Sequence, residues 1–99
     1  MTATRYCITV DTEEEWDWAS GYPTCRPSVS NIARLPAFQT VCERHGAAVV
    51  YFVNHAVLND PTATAVIQGL VARPNVEIGL HIHPWNTPPL ADAPSVPVR

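Results

Sequence analysis

The fold is decided by the stretch AAVVYFVNHAVLNDPTATAVIQGLVARPNVEIGLHI, residues 47–82. Its two ends, 47–53 and 76–82, are mostly apolar and rich in β-branched residues. This pattern predicts a buried strand at 47–53 and a further strand at 76–82. Between them, Asp60 is a good N-cap and Pro61 a good first helical residue. The apolar stripe of this helix, which Pro74 closes, consists of Ala63, Val66, Ile67, Leu70 and Val71. A strand, a helix and a strand in this order predict a right-handed βαβ unit with two parallel strands.

The same alternation extends towards the N-terminus. RYCITVD at 5–11 predicts another strand buried on both faces. Ser30 or a neighbour can start a helical turn, Pro36 suits the first position of a longer helix, and Gly46 suits its C-terminal cap. Apolar residues recur at helical spacing at Ile32, Leu35, Phe38, Val41 and Cys42. The order β–loop–α–β–α–β predicts an α/β fold with a parallel βαβαβ sheet.

The chain length indicates a single domain, because 99 residues suffice for one small domain and not for two. Three parallel strands need cover on both faces and at both edges, and two helices supply only part of it. We therefore expect residues 1–99 to be the N-terminal portion of one larger α/β domain, truncated after the third strand. Residues 84–99 are expected to form a loop or tail, since prolines interrupt helix and strand alike: Pro84, Pro88, Pro89, Pro94 and Pro97.

Composition and charge exclude some classes of partner. The net charge is −3 and the six basic residues are scattered arginines, which gives no electrostatic case for nucleic-acid binding. No apolar run approaches the ~20 residues needed to span a bilayer, and the N-terminus lacks a signal-peptide pattern. We expect a cytoplasmic protein without a membrane partner, and the oligomeric state is left open. Cys7, Cys25 and Cys42 are interpreted as thiols, because they are odd in number and far apart.

Acidic and imidazole side chains follow the first and third predicted strands. In VDTEEEWDW (10–18), Asp11 and Glu13 project to the same side of an extended chain, as do His81 and His83 farther on. Ligands of parallel α/β sheets bind beyond the carboxyl ends of the strands, so the two pairs are predicted to converge at one rim. Imidazole and carboxylate ligands suit Zn²⁺ or another first-row divalent ion, and an unligated carboxylate nearby can act as a base.

Four further residues near these motifs are candidates for the pocket. Glu14 competes with Glu13 for the role of acidic ligand. His55 follows the second strand at the same rim and can line the pocket. Trp16 and Trp85 flank the two motifs, where they either stack on a sugar ring or pack across the long loop. The remaining acids of the run are interpreted as solvated loop residues: Glu15 and Asp17.

Three segments together resemble the NodB-type polysaccharide deacetylases, carbohydrate esterase family 4. ITVDTEEEW (8–16) resembles the first motif of that family, a strand that ends in an aspartate with a second acid close behind. AAVVYFVNH (47–55) resembles its second-strand segment, and VEIGLHIHPW (76–85) resembles its metal-binding motif. The HxHPW form is similar to a divergent branch of the family. The resemblance covers most of residues 5–89.

The resemblance implies a metal-dependent enzyme on a distorted (β/α) barrel that removes acetyl groups from N-acetylated sugars. It implies Asp11 as the general base and Glu13, His81 and His83 as ligands of a divalent metal, most readily Zn²⁺. The chain departs from the family pattern, in which the two acids are usually adjacent and the two histidines usually lie farther apart. Here Thr12 intervenes between the acids. The later motifs, which supply an orienting arginine or aspartate and a histidine as general acid, are absent from these residues, so the chain carries half of the family's site.

Two other hypotheses stay open. A glycoside hydrolase would use paired carboxylates about 5–10 Å apart, with Glu13 and either Glu14 or Glu15 in those roles. It would leave the HxHPW motif unexplained and would keep its activity in the presence of a chelator. A non-catalytic remnant that binds a metal or a sugar is the second alternative.

Overall fold

A three-stranded parallel sheet forms the centre of the fold. The computed structural model describes residues 4–15, 28–84 and 87–89. The sheet order follows the chain order, and both neighbouring pairs of strands are parallel. The strands are β1 (Cys7–Thr12), β2 (Ala48–Val53) and β3 (Val76–Leu80). The predicted α/β class and the parallel βαβαβ order are confirmed.

Two long helices connect the strands, and their ends carry the signals that the sequence indicated. Asp60 accepts a hydrogen bond from the backbone N–H of Ala63 at 2.7 Å and thereby caps the second long helix. Gly46 adopts a φ of 65°, the left-handed conformation that commonly follows a helix end. Pro74 lies in the turn after the second long helix. The helices are α1 (Leu35–Arg44), which a 3₁₀ turn at Ser30–Arg34 precedes, α2 (His55–Leu58) and α3 (Pro61–Val71).

The short helix α2 is an addition to the predicted order. Asn54 begins it as an N-cap, since its side-chain oxygen accepts a hydrogen bond from the backbone N–H of Val57 at 3.2 Å. Val57 is completely buried. This single helical turn fixes the chain immediately after β2, at the edge of the sheet where the candidate site was predicted.

Helices α1 and α3 pack on the same face of the sheet. The phenol of Tyr51 on β2 is completely buried and donates a hydrogen bond to Gln39 Oε1 on α1 at 2.7 Å. Burial raises the pKa of Tyr51 to about 12, so its hydroxyl remains a hydrogen-bond donor at neutral pH. The shared core consists of Ile32, Cys42, Ala47, Val49, Tyr51, Val53, Val57, Ala63, Ile67 and Leu70. One hydrophobic core therefore lies between the sheet and both long helices.

The edges of the sheet and the face opposite the long helices are only partly covered in the described part of the chain. Cys7, Thr9 and Asp11 of β1 are exposed, and Leu80 at the end of β3 is 67% exposed. Ile82, just beyond β3, is 59% exposed. The prediction that β1 is buried on both faces is wrong within the described residues, because both long helices pack on one side of the sheet and β1 is an edge strand.

Strand ends differ slightly from those predicted. Strand β1 begins at Cys7 and continues to Thr12, and β3 ends at Leu80, so the two histidines lie just past the strand. Of the predicted tail, the structure describes Pro84 in a turn and 87–89 in a bend; the remainder lies outside the described residues. Within the described part of the chain, no helix combines the length and apolar character needed to cross a bilayer.

Candidate metal centre

The segments after β1 and β3 meet across the end of β2. The backbone N–H of Asn54 donates to the carbonyl of Thr12 at 3.2 Å, and the N–H of His81 donates to the carbonyl of Val53 at 3.0 Å. These bonds extend both ladders past the ends of the strands. The chain after β1 and the chain after β3 are thereby held close together, at the carboxyl rim that the sequence indicated.

Glu13, His81 and His83 converge on one point at this rim. Glu13 Oε2 lies 2.9 Å from Nε2 of His81 and 2.9 Å from Nε2 of His83. The two Nε2 atoms lie 2.9 Å from each other, and the rings meet edge to face at an interplanar angle of 75°. One oxygen and two nitrogens therefore form a nearly equilateral triangle of ligand atoms. This group could hold a metal ion.

The chemistry and spacing of the three donor atoms fit a divalent metal. Ligand atoms about 2.0–2.2 Å from a tetrahedral Zn²⁺ lie roughly 3.3–3.6 Å from one another. The triangle is slightly tighter, with edges of 2.9 Å. The side chains of Glu13 and His81 are each 26% exposed, so packing does not enclose them completely and they have room to rotate. Two histidines and one carboxylate also form the ligand set of several catalytic zinc sites, which keep a further position open.

Asp11 lies beside the triangle and takes no part in it. Its Oδ1 is 4.0 Å from Nδ1 of His81, and its side chain is 67% exposed. Asp11 and His81 share the side of the sheet that the helices leave uncovered. An exposed carboxylate next to a metal centre has the solvent access that a proton acceptor requires.

Glu14 points away from the triangle, because successive side chains of an extended chain project to opposite sides. Its side chain is completely buried, and it accepts a hydrogen bond from Nδ2 of Asn54. The second carboxylate oxygen lies 3.6 Å from Nδ1 of His83, within ion-pair distance. The sequence left open whether Glu13 or Glu14 is the acidic ligand. The geometry favours Glu13, because its carboxylate contacts both Nε2 atoms, whereas Glu14 lies on the Nδ1 side of His83.

The loop that carries these acids is tied to the 3₁₀ turn. Asn31 Nδ2 donates to the backbone carbonyl of Glu13 at 2.9 Å. The backbone N–H of Glu15 donates to the carbonyl of Ser28 at 2.8 Å, and Ser30 Oγ donates to Glu15 Oε1 at 2.6 Å. Glu15 is exposed, in agreement with its interpretation as a solvated loop acid. These bonds fix the backbone on both sides of Glu14 and so fix which acid faces the histidines.

The other candidate pocket residues contribute less to the site in the described structure. His55 is the first residue of α2 and is half-buried. The group of potential ligands among the described residues does not include it. Trp16 and Trp85 lie outside the described residues, so their expected places beside the site stay predictions.

Two residues that hydrogen-bond to the acids of the candidate site escaped the sequence analysis, namely Asn31 and Asn54. Asn54 carries a readable signal, because an asparagine between an apolar strand and HAVL (55–58) is a typical N-cap. Its second contact, to Glu14, has no local signal, since the two residues lie 40 positions apart. The same holds for Asn31, which is 18 positions from Glu13.

Comparison with known proteins adds no relative to this picture. No protein-family model matches the chain, and neither a curated protein nor a solved structure matches it. The description of the site therefore rests on the residues of this chain alone. Its α/β fold brings Glu13, His81 and His83 together as a group that could hold a metal ion.

Proposed function

We propose that the protein carrying this chain is a metal-dependent hydrolase that removes N-acetyl groups from a polysaccharide or an amino sugar. The observation that carries the proposal is the convergence of Glu13 Oε2 and the two histidine Nε2 atoms at separations of 2.9 Å. The residues of this triangle are those that the resemblance to the polysaccharide deacetylases assigns to the metal. In this proposal the ion is Zn²⁺ or a similar divalent metal, and the partner is a carbohydrate.

The topology supports placing the chain in a distorted (β/α) barrel. The strands follow one another in chain order, and both long connecting helices pack on one face of the sheet. That is the repeating arrangement of a (β/α) barrel, whose strands face the barrel interior on the side away from the helices. In such barrels the active site lies at the carboxyl ends of the strands, which is where Glu13 and both histidines lie. The chain would then supply the first strands of the barrel.

The proposal assigns a role to each of these residues. Glu13, His81 and His83 would hold the ion, which supplies Lewis-acid polarisation of an amide carbonyl and lowers the pKa of water. Asp11 is exposed and adjacent to His81, so it is placed to accept a proton as water adds to the carbonyl carbon. The exposed side of the sheet next to Asp11 leaves room for a sugar to approach.

Acetate release tests this function most directly. The substrate is an oligomer of N-acetylglucosamine, and the protein is assayed as purified, after chelation, and after chelation followed by added Zn²⁺. We expect the chelator to abolish acetate release and Zn²⁺ to restore it. Asp11→Asn should retain the metal and lose about 10²–10⁴-fold in rate, because it removes the proton acceptor.

Other outcomes of this assay would point to the alternatives. Activity on a glycosidic bond that survives the chelator would favour the glycoside hydrolase. For that enzyme Glu13 and Glu14 are poorly arranged as a pair, since the side chain of Glu14 is completely buried and directed away from the triangle. Stoichiometric metal without acetate release from any N-acetylated sugar would leave only a metal-binding protein and would contradict the proposed activity.

A further inference from the structure

Glu14 combines burial with two specific partners, and the proposed chemistry makes no use of it. Its side chain has no solvent exposure, whereas a residue that met substrate would need access to the rim. One carboxylate oxygen accepts a hydrogen bond from Asn54 Nδ2, and the other lies 3.6 Å from His83 Nδ1. We propose that Glu14, oriented by Asn54, is a positioning residue that fixes the ring and the tautomer of His83 for metal binding. This inference rests on the proposed function, because it requires His83 to be a metal ligand.

The ring of His83 is held between two carboxylates. Glu13 lies at Nε2 and Glu14 lies on the Nδ1 side. An imidazole binds a metal through the nitrogen that bears no proton, and the hydrogen bond of the other nitrogen decides which one that is. Once a metal takes the lone pair of Nε2, the atom that faces the triangle, the proton of the ring must lie on Nδ1, and the carboxylate of Glu14 on that side favours this state. Metal-binding histidines commonly have such a carboxylate or carbonyl partner.

The hydrogen bonds of Asn54 determine which hydrogen-bonding groups the side chain at position 14 must present. The amide oxygen of Asn54 is occupied as the cap of α2, where it accepts from the N–H of Val57 at 3.2 Å. Asn54 therefore presents its NH₂ group to Glu14, which must offer an acceptor there and a second acceptor to His83. Glutamate has two acceptor oxygens, whereas glutamine has one. In Glu14→Gln the oxygen is drawn to Asn54, and the NH₂ group is left facing Nδ1 of His83, which favours the tautomer with its proton on Nε2.

Asp11 and Glu14 differ in solvent exposure, which supports different roles for these two acids. Both lie near the Nδ1 atom of a histidine of the triangle, at 4.0 Å for Asp11 and 3.6 Å for Glu14. Asp11 is 67% exposed, so water screens its interaction with His81 and leaves it free to exchange protons. Glu14 is buried together with Asn54, so its interaction with His83 is screened far less.

The test measures metal affinity and the histidine tautomer in parallel. Zn²⁺ affinity is measured by competition with a chromophoric chelator, and the protein labelled with ¹⁵N-histidine and loaded with stoichiometric Zn²⁺ is examined by long-range ¹⁵N–¹H correlation. We expect wild type to have His83 protonated on Nδ1. Glu14→Gln should shift His83 towards the Nε2-protonated tautomer and lower the affinity about 10–100-fold. Glu77→Gln, which removes the same charge at an exposed position of β3, should match wild type in both measurements.

A rescue variant separates positioning from a general effect on folding. When Glu14→Gln is combined with Asn54→Asp, the introduced aspartate can cap α2 with one oxygen and accept from the NH₂ group of the introduced glutamine with the other. The glutamine oxygen then faces His83 again, so the tautomer and most of the affinity should return. Equal affinity and tautomer in wild type and Glu14→Gln would overturn the inference while leaving the metal centre intact. Wild-type protein that binds no Zn²⁺ would overturn both the proposed function and the inference.

Discussion

At the scale of single residues, the site depends on which way each side chain leaves the backbone. Three acids that are close in sequence have different surroundings. Asp11 is exposed beside His81, Glu13 is part of the triangle, and Glu14 is buried behind His83. Strand alternation predicts that Asp11 and Glu13 share a side, and this was readable from the sequence. The role of Glu14 was not readable, because it depends on Asn54 and His83, which lie far along the chain.

At Gly79 the structure predicts that a larger side chain lowers the stability of the fold. A Cβ atom at this position would lie 2.6 Å from Cδ1 and Cε1 of the Phe52 ring on the neighbouring strand. Gly79→Ala should therefore lower the free energy of unfolding by about 1–3 kcal/mol, because the ring must move. Denaturant unfolding measures the change.

Gly69 is the matched control for that substitution. It lies within α3, and a Cβ atom there would meet nothing within 4 Å. Gly69→Ala should raise the free energy of unfolding by roughly 0.5–1 kcal/mol, because glycine is a poor helix former. If Gly79→Ala left the free energy of unfolding unchanged or raised it as Gly69→Ala does, the packing of Phe52 on Gly79 would be refuted.

At the scale of the elements, boundaries were predictable where a local signal exists. Asp60 and Pro61 mark the start of α3, and Gly46 marks the end of α1, as predicted. Helix α2 was missed because one turn of helix gives too short an apolar pattern to distinguish from a loop. The burial of β1 was overestimated, since an apolar run does not tell which faces of a strand its neighbours will cover.

An ion pair between α1 and the turn after α3 makes stability depend on pH. Arg73 Nε donates to Glu43 Oε1 at 2.7 Å, and Arg73 Nη2 donates to Glu43 Oε2 at 2.8 Å. The hydrogen bonds from Arg73 lower the pKa of Glu43 from its ordinary value of 4.5. A carboxyl whose pKa is lower in the folded state stabilises that state above its unfolded pKa, and the contribution is lost as pH falls through the folded pKa.

We therefore expect thermal stability to fall as the pH drops below about 4.5, the ordinary glutamate value. Glu43→Gln should be less stable than wild type at neutral pH and should lose part of this acid dependence. Arg73→Gln removes the same pair and should flatten the profile similarly. The measurement is the unfolding midpoint from pH 7 down to pH 3 by circular dichroism, and identical profiles for wild type and Glu43→Gln would show that the pair contributes nothing.

At the scale of the whole molecule, the sheet leaves apolar surface uncovered in the described part of the chain. Leu80 and Ile82 are more than half exposed, at 67% and 59%, beside the outer edge of β3. An open strand edge with apolar neighbours promotes pairing with other chains. We expect the chain by itself to associate as its concentration rises, and sedimentation velocity measures this. Replacing Leu80 and Ile82 by lysine should reduce the association, whereas a monomer with one sharp unfolding transition at all concentrations would contradict this expectation.

The architecture as a whole was predictable to the level of a parallel α/β unit with acids and histidines at one rim. Alternating strands and helices determine the strand directions, and strand directions determine which ends share a rim. The sequence could not determine the atoms that meet there. The 2.9 Å triangle depends on the loop bonds from Asn31 and on the backbone bond between His81 and Val53, which join distant parts of the chain.

Zinc titration of the wild-type protein and of three single variants, Glu13→Gln, His81→Ala and His83→Ala, is the decisive measurement. His45→Ala serves as the control, because His45 is an exposed histidine just after α1. We predict that wild type and His45→Ala bind one zinc ion per chain. Each of the other three variants should lose more than the ~10–100-fold in zinc affinity that is typical when a residue hydrogen-bonded to a metal ligand is replaced. Stoichiometric zinc that is unaffected by His81→Ala or His83→Ala, or no zinc in the wild type, would contradict the metal centre.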